Sequence, residues 1–190
     1  MKQYKVLALV GKAGAGKDTI LAMAMKRKPE LFHEIISCTT RPPREGEHDG
    51  INYFFLEKED FELELEAGLM LEVAEFNGWF YGTELKALDE NKINLGIFNP
   101  EGIISLMFDP RIELKIIYIQ ANDKIRLERQ LKREEAPNVR EIVRRFGTDE
   151  VDFRWMDKLP HFDAFNERLS QAKEVTDLVV NVGQSWDNFD

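Results

Sequence analysis

Cysteine is almost absent from this chain of 190 residues; Cys38 is the only one. No internal disulfide can form, which excludes the disulfide-stapled scaffolds of secreted proteins and favours a reducing compartment. Histidine is scarce as well. His33, His48 and His161 stand far apart, without the spacing of a metal-binding set. No apolar run approaches the ~18 residues of a membrane-spanning helix. The apolar part of the N-terminal MKQYKVLALVGKAG is too short for the core of a signal peptide. Positive charge is also short, with a formal net charge of −9. That balance argues against nucleic acid or an anionic membrane as partner, because both need a broadly basic surface. Internal repeats, low-complexity tracts and linkers are missing too. These absences predict one cytoplasmic domain, residues 1–190, acting on something small; monomer and homodimer both stay open. Hydrophobic residues at 43% suffice for an ordinary core.

Short apolar runs alternate with amphipathic or charged stretches along the chain. Residues 4–10, 52–56, 71–76, 93–98 and 114–119 predict strands, and 177–182 (DLVVNV) predicts a last buried one. Residues 18–28, 58–67, 83–90, 123–150 and 162–174 predict helices. Strands alternating with helices imply an α/β fold in which a parallel sheet is covered on both faces.

The stretch GKAGAGKDT, Gly11 to Thr19, has the G-x-x-x-x-G-K spacing of a phosphate-binding loop, after a strand and opening a helix. Gly11, Gly14 and Gly16 allow the backbone, with Ala13 and Ala15, to turn N–H groups towards an anion, and the helix N-terminus adds partial positive charge. Lys17 is placed to reach the terminal phosphates of a nucleotide. The usual next residue is Ser or Thr, whose hydroxyl holds Mg²⁺. Here it is Asp18, followed by Thr19, so Thr19, Asp18 or a water is left to make that contact.

A second stretch is less ordinary. Ser37-Cys38-Thr39-Thr40-Arg41-Pro42-Pro43-Arg44 precedes Gly46-Glu47, Gly50 and Tyr53-Phe54-Phe55. Further on come Leu71-Glu72-Ala74 and Tyr81-Gly82-Thr83. With the loop at Gly11, this combination closely resembles the first half of guanylate kinase, and the two tracts resemble its nucleoside-monophosphate-binding segment. The resemblance implies a three-layer phosphate-loop fold with a parallel core sheet, a monophosphate-binding insertion over residues 35–84 with its own small β-sheet, and a helical lid over 123–150. Residues 4–34, 85–122 and 151–190 would then be core. It also implies that Arg41, Arg44, Tyr53 and Tyr81 hold the phosphate of GMP, with Glu47 in the same segment, and that Ser37 and Thr83 contact O6 and N7 of guanine.

The residue types suit those tasks. Two guanidinium forks can grip a phosphate monoester by charge-assisted bidentate bonds, and the prolines between them limit the entropy lost on binding. Glu72 interrupts the apolar LMLEVAEF. A carboxylate there accepts from guanine N1–H and the exocyclic amine together, a donor pair adenine lacks. Leaving such buried groups unpaired rejects the wrong base by up to ~10⁴-fold.

The second half resembles the family more loosely. Where guanylate kinases carry Asp-Ile-Asp at a strand end, this chain has Ile97-Phe98-Asn99. Asn99 can still meet the guanine amine, but both carboxylates are gone. Arg145 aligns with the late arginine of the family's lid, and Arg129 and Arg133 stand one place from the two earlier ones. A surplus of about 16 residues, including GTDEVDFRWMDKLPHF, precedes the predicted last strand, and Asn181 on that strand is expected beside the adenine of ATP. The resemblance as a whole implies an ATP-dependent kinase acting on GMP or dGMP with Mg²⁺. Two alternatives stand beside it: a deoxynucleotide kinase with a different base preference, and a silent binding module of the same fold.

Overall fold

The computed structural model describes residues 3–76, 78–133 and 136–188. Its centre is β1 (Tyr4–Val10), the middle strand of a five-stranded sheet that also holds β2 (Phe32–Glu34), β7 (Ile93–Ile97), β8 (Ile112–Gln120) and β9 (Phe162–Phe165) in the order β2-β7-β1-β8-β9. All its pairings are parallel; Val6 lies against Asn94 on one side and Leu114 on the other. Side chains alternate across a strand, so β1 supplies both faces. Leu7 and Leu9 pack into a core with α1 (Lys17–Arg27) and α6 (Leu169–Gln184), while Val6, Ala8 and Val10 pack into a second core with α3 (Pro100–Phe108). Burial on both faces is why these strands read as continuous apolar runs. The result is a three-layer α/β fold.

A second sheet, β4-β3-β6-β5, is built from β3 (Cys38–Thr39), β4 (Phe54–Phe55), β5 (Met70–Phe76) and β6 (Trp79–Glu84). α2 (Lys58–Glu66) covers it, stacking Phe61 on Phe80 with ring centroids 5.6 Å apart over Cys38 and Met70. Two helices, α4 (Asp123–Leu131) and α5 (Val139–Asp152), follow β8. The predicted lid segment spans them and includes Glu134 and Glu135, which lie outside the described residues. Pro137 prevents a single helix from running through, and Asn138 restarts one by accepting from Glu141 N–H at 3.1 Å.

Three expectations need correction. The helix predicted from Thr83 does not form: Thr83 and Glu84 complete β6, held in register opposite Glu72 and Met70, and only Leu85–Ala87 makes a 3₁₀ turn. Phe162 does not begin a helix; Phe162–Phe165 is the last strand, paired with Ile117–Gln120. Asp177–Val182 is no strand but part of α6. Its β-branched residues suggested a strand, yet Val175, Thr176, Val179, Val180 and Val182 recur at helical spacing and are buried on one face. Moving the last strand from residue 177 to residue 162 removes the surplus segment before it: the run from Gly147 is the end of α5 and a short 3₁₀ turn, Met156–Lys158.

Candidate active site

The loop between β1 and α1 lies at the carboxyl end of the central strand, where neighbouring strands diverge and α/β sheets bind ligands. Its geometry demands glycine. A Cβ on Gly11 would lie 2.4 Å from the Ile119 carbonyl oxygen of β8. Gly16 has φ +97°, and a Cβ there would lie 2.5 Å from Asn166 Nδ2. Lys17 Nζ folds back over the loop and donates to Gly11 O at 2.6 Å. Burial pulls its pKa below the usual lysine range, against the opposing pull of the Asp18 and Asp149 carboxylates. Asp18 and Thr19 are exposed at the start of α1.

Two cavities meet at this loop. The larger, about 640 Å³, runs from Gly16, Lys17 and Thr19 past Arg129, Arg133 and Arg145 to Asn166 and Arg168. The smaller, about 370 Å³, opens between Gly11, Phe76, Ile97, Asn99, Thr148 and Asp149. Ala13, Lys17 and Arg145 line both.

Beyond the smaller cavity, β5 and β6 bring Glu72 and Thr83 opposite each other. The Thr83 hydroxyl donates to Glu72 Oε1 at 2.8 Å, and Ser37 Oγ lies 3.4 Å from Thr83 Oγ1. Residues 11 and 46 positions apart in sequence therefore form one hydrogen-bonded chain. Burial raises the Glu72 pKa, and only the Thr83 hydrogen bond opposes it. The first turn of α3 closes the other side: a Cβ on Gly102 would lie 3.3 Å from Glu72 Oε2 and 3.1 Å from Asn99 Oδ1. That Asn99 oxygen accepts from Gly102 N–H at 2.7 Å, so it caps α3.

The arginine stretch divides its two cations. Arg41 is 8% exposed, donates to Glu47 Oε1 at 3.0 Å and to Pro42 O at 2.8 Å, and stands 5.7 Å from the centroid of the Tyr53 ring. Its Nε is buried and has no hydrogen-bond partner. Tyr81 meets Tyr53 edge-on with centroids 6.0 Å apart. Arg44 is exposed; its backbone N–H donates to Glu47 Oε2 at 2.7 Å. Glu47 therefore braces both arginines, and the Arg44 N–H and the Arg41 guanidinium hold its own pKa below the usual range.

From α4, Arg129 donates to Gly14 O and Ala15 O at 3.2 and 3.3 Å. Arg145 donates to Glu141 Oε1 at 2.8 Å, and Arg133 is exposed on the cavity rim. Asn181 lines neither cavity: it is exposed on α6, because the segment carrying it is a helix. Asn166, which sequence reasoning passed over, lines the larger cavity instead. It follows β9, is 4% exposed, donates to Ala15 O at 2.8 Å and keeps a buried Oδ1 without a partner. The signal for it was FDAFNE, a short alternating strand ending in Asn, obscured by the helix assigned there. Arg126, Asp149 and Arg168 were also passed over, as members of charged helical sequence.

The family profile described as guanylate kinase matches residues 3–177. A guanylate kinase of Prochlorococcus marinus is 36% identical over 135 residues, covering 68% of this chain and 72% of that protein. One from Schizosaccharomyces pombe is 29% identical over 176 residues, covering 90% and 87%. Several other guanylate kinases align over less than two thirds of their own length, among them that of Chlamydia caviae at 64%. In shape, the chain is similar to the crystal structure of guanylate kinase from Anaplasma phagocytophilum, with a TM-score of 0.69 and 21% identity over 97% of this chain and 87% of that one.

Proposed function

Because the chain belongs to the guanylate kinase family, we propose that it transfers the γ-phosphoryl group of ATP to GMP or dGMP, giving ADP and GDP or dGDP. One observation carries the reading: Lys17 and Arg145 line both cavities, so the same two cations face whatever occupies either one. A phosphoryl group passing between two nucleotides needs its charge neutralised at that junction.

The larger cavity takes ATP, with its phosphates on the loop amides of Gly14, Gly16 and Lys17 and its base towards Asn166. The acceptor phosphate sits with Arg41, Arg44, Tyr53 and Tyr81. The unpartnered Arg41 Nε supports this, because a buried donor left unmade costs about 1–3 kcal/mol and a phosphate oxygen would satisfy it. Guanine lies against Glu72, with Ser37 and Thr83 alongside and Asn99 at the edge. An acceptor phosphate oxygen then forms its bond to Pγ as the bond from Pγ to the β,γ-bridging oxygen breaks. No protein base is required, since the attacking oxygen is already anionic. Lys17, Arg145, Arg129 and Arg133 stabilise the moving charge, and closure of the two peripheral subdomains excludes water.

Among the described residues no group of three or more acidic, histidine or cysteine side chains is placed to hold a metal ion. Mg²⁺ keeps most of its ligands as phosphate oxygens and waters and takes only one or two from the protein. Thr19 and Asp18, both on the rim of the larger cavity, are the residues that would hold it. When bound, it neutralises and orients the phosphates. No helix among the described residues is long and apolar enough to cross a membrane.

The test is ADP formation from Mg-ATP across a panel of nucleoside monophosphates, with Lys17→Ala and Glu72→Ala as controls. Turnover confined to GMP and dGMP, and lost in both variants, is expected. Turnover with other bases would overturn the guanine assignment, and none with any acceptor would overturn the kinase.

A further inference from the structure

Arg126 is among the largest fully buried side chains of the described residues, 1% exposed, on a helix whose other arginine, Arg129, lines the cavity and whose one lysine, Lys124, is exposed. Arginine is almost never buried without a purpose that pairs its charge and all its donors. Here Nε donates to Ala13 O at 2.9 Å, one terminal nitrogen donates to Asp123 and the other to Asp149 of α5, and the Phe146 ring lies 4.4 Å from the guanidinium carbon. Asp149 in turn accepts from Ala13 N–H at 2.9 Å. Both backbone polar groups of one phosphate-loop residue are thus taken by side chains of the two lid helices. The contact is close: a Cβ on Gly14 would lie 2.6 Å from Arg126 O.

We propose that Arg126 and Asp149 are a positioning pair that sets the amides of the phosphate loop for ATP. A trans peptide is planar, so a carbonyl and the next residue's N–H point in opposite directions. Holding Ala13 O against Arg126 turns the Gly14 N–H away from α4. Holding Ala15 O against Arg129 and Asn166 does the same for the Gly16 N–H. The carbonyls that would otherwise repel a phosphate are bound to cationic or amide donors on the outside of the loop. Asp149 completes the brace and fixes the helix one turn after Arg145, the arginine that lines both cavities. Arg126 itself is sealed from the cavities and acts through the loop.

The inference rests on the ATP-binding reading of that loop, and binding measurements separate the two. ATP and GMP affinities are measured singly, by calorimetry, on the unmodified protein, Arg126→Lys and the double variant Arg126→Met/Asp149→Leu. Lysine keeps the charge against Asp149 but cannot bridge three acceptors. The double variant replaces a buried ion pair by apolar groups, a change folds often tolerate. The expected result is at least a tenfold loss of ATP affinity in each folded variant, with GMP affinity within twofold of the parent. Unchanged ATP affinity in Arg126→Lys, or equal losses for both nucleotides, would overturn the positioning role; if the double variant does not fold, Arg126→Lys decides alone. Failure of the unmodified protein to bind ATP would instead overturn the reading of the loop.

Discussion

Glu72→Gln separates recognition from stability at one atom. In the parent, Thr83 donates to Oε1, and Oε2 faces the first turn of α3. Guanine bound there would donate N1–H and its amine to the carboxylate. Each hydrogen bond to a charged group contributes about 1.5–3 kcal/mol. Glutamine has the same shape but offers one acceptor and opposes the second donor with an NH₂. Retaining one neutral bond leaves a net loss of about 2–4 kcal/mol, roughly 30- to 700-fold in kcat/KM for GMP at ~1.4 kcal/mol per decade. Stability moves the other way. Burial already penalises the ionised Glu72, so an uncharged isostere leaves Tm unchanged or higher. The raised pKa also gives the parent an acid limb: recognition needs the carboxylate, is present above that pKa, and is lost as pH falls through it. Glu72→Gln lacks the limb. Steady-state kinetics with GMP and with inosine monophosphate, which lacks the amine, read all of this, and the variant narrows the gap between the two substrates. A folded Glu72→Gln protein with kcat/KM for GMP within threefold of the parent would refute the reasoning.

Other expectations follow from single contacts. Lys17 is cationic when it serves the phosphates and its pKa is lowered by burial, so kcat/KM for ATP is retained below that pKa and falls as pH rises through it, earlier than an ordinary lysine would dictate; a pH profile extending above pH ~10.4 with no such fall contradicts this. Cys38 is fully buried with its thiol pushed up to about 12, so a disulfide reagent at pH ~8 leaves it unmodified until denaturant is added; rapid native labelling would show that β3 opens. Asn166→Ala removes a donor to Ala15 O and raises KM for ATP about tenfold, whereas Asn181→Ala, exposed on α6, changes neither constant. Gly16→Ala forces a side chain into φ +97° against Asn166 and lowers Tm by several degrees as well as abolishing ATP binding, measured by thermal melts with and without the nucleotide.

What the residues reveal in order depends on how local the cause is. The phosphate loop was legible because its glycines, Lys17 and the apolar strand before it are all neighbours. The arginine-proline stretch with Glu72 and Thr83 was legible only through resemblance, since β5 and β6 must pair before the carboxylate meets the hydroxyl. Period misled at the end of the chain. Val179-Val180 and Val182 have strand propensity, but Val175 and Trp186 bury on the same side only if the backbone is helical, and tertiary packing overrides propensity in such a case.

Charge misled across α4 and α5 in a different way. Arg126, Arg129 and Arg133 are the same letter at spacings of three and four, and a charged helix is solvated unless something docks on it. Here α4 lies directly on the phosphate loop, so the three arginines descend from a fully buried residue, through one half-buried against loop carbonyls, to one exposed at the rim. The same docking brings Asp149 of α5 beside Lys17. The strand end that carries two acids in the family here carries Ile97 and Asn99, and Asn99 spends its oxygen on a helix cap. Negative charge has therefore not left the cleft, because Asp149 and Asn99 line the same cavity. It comes from α5, where its first partners are Arg126 and the loop itself.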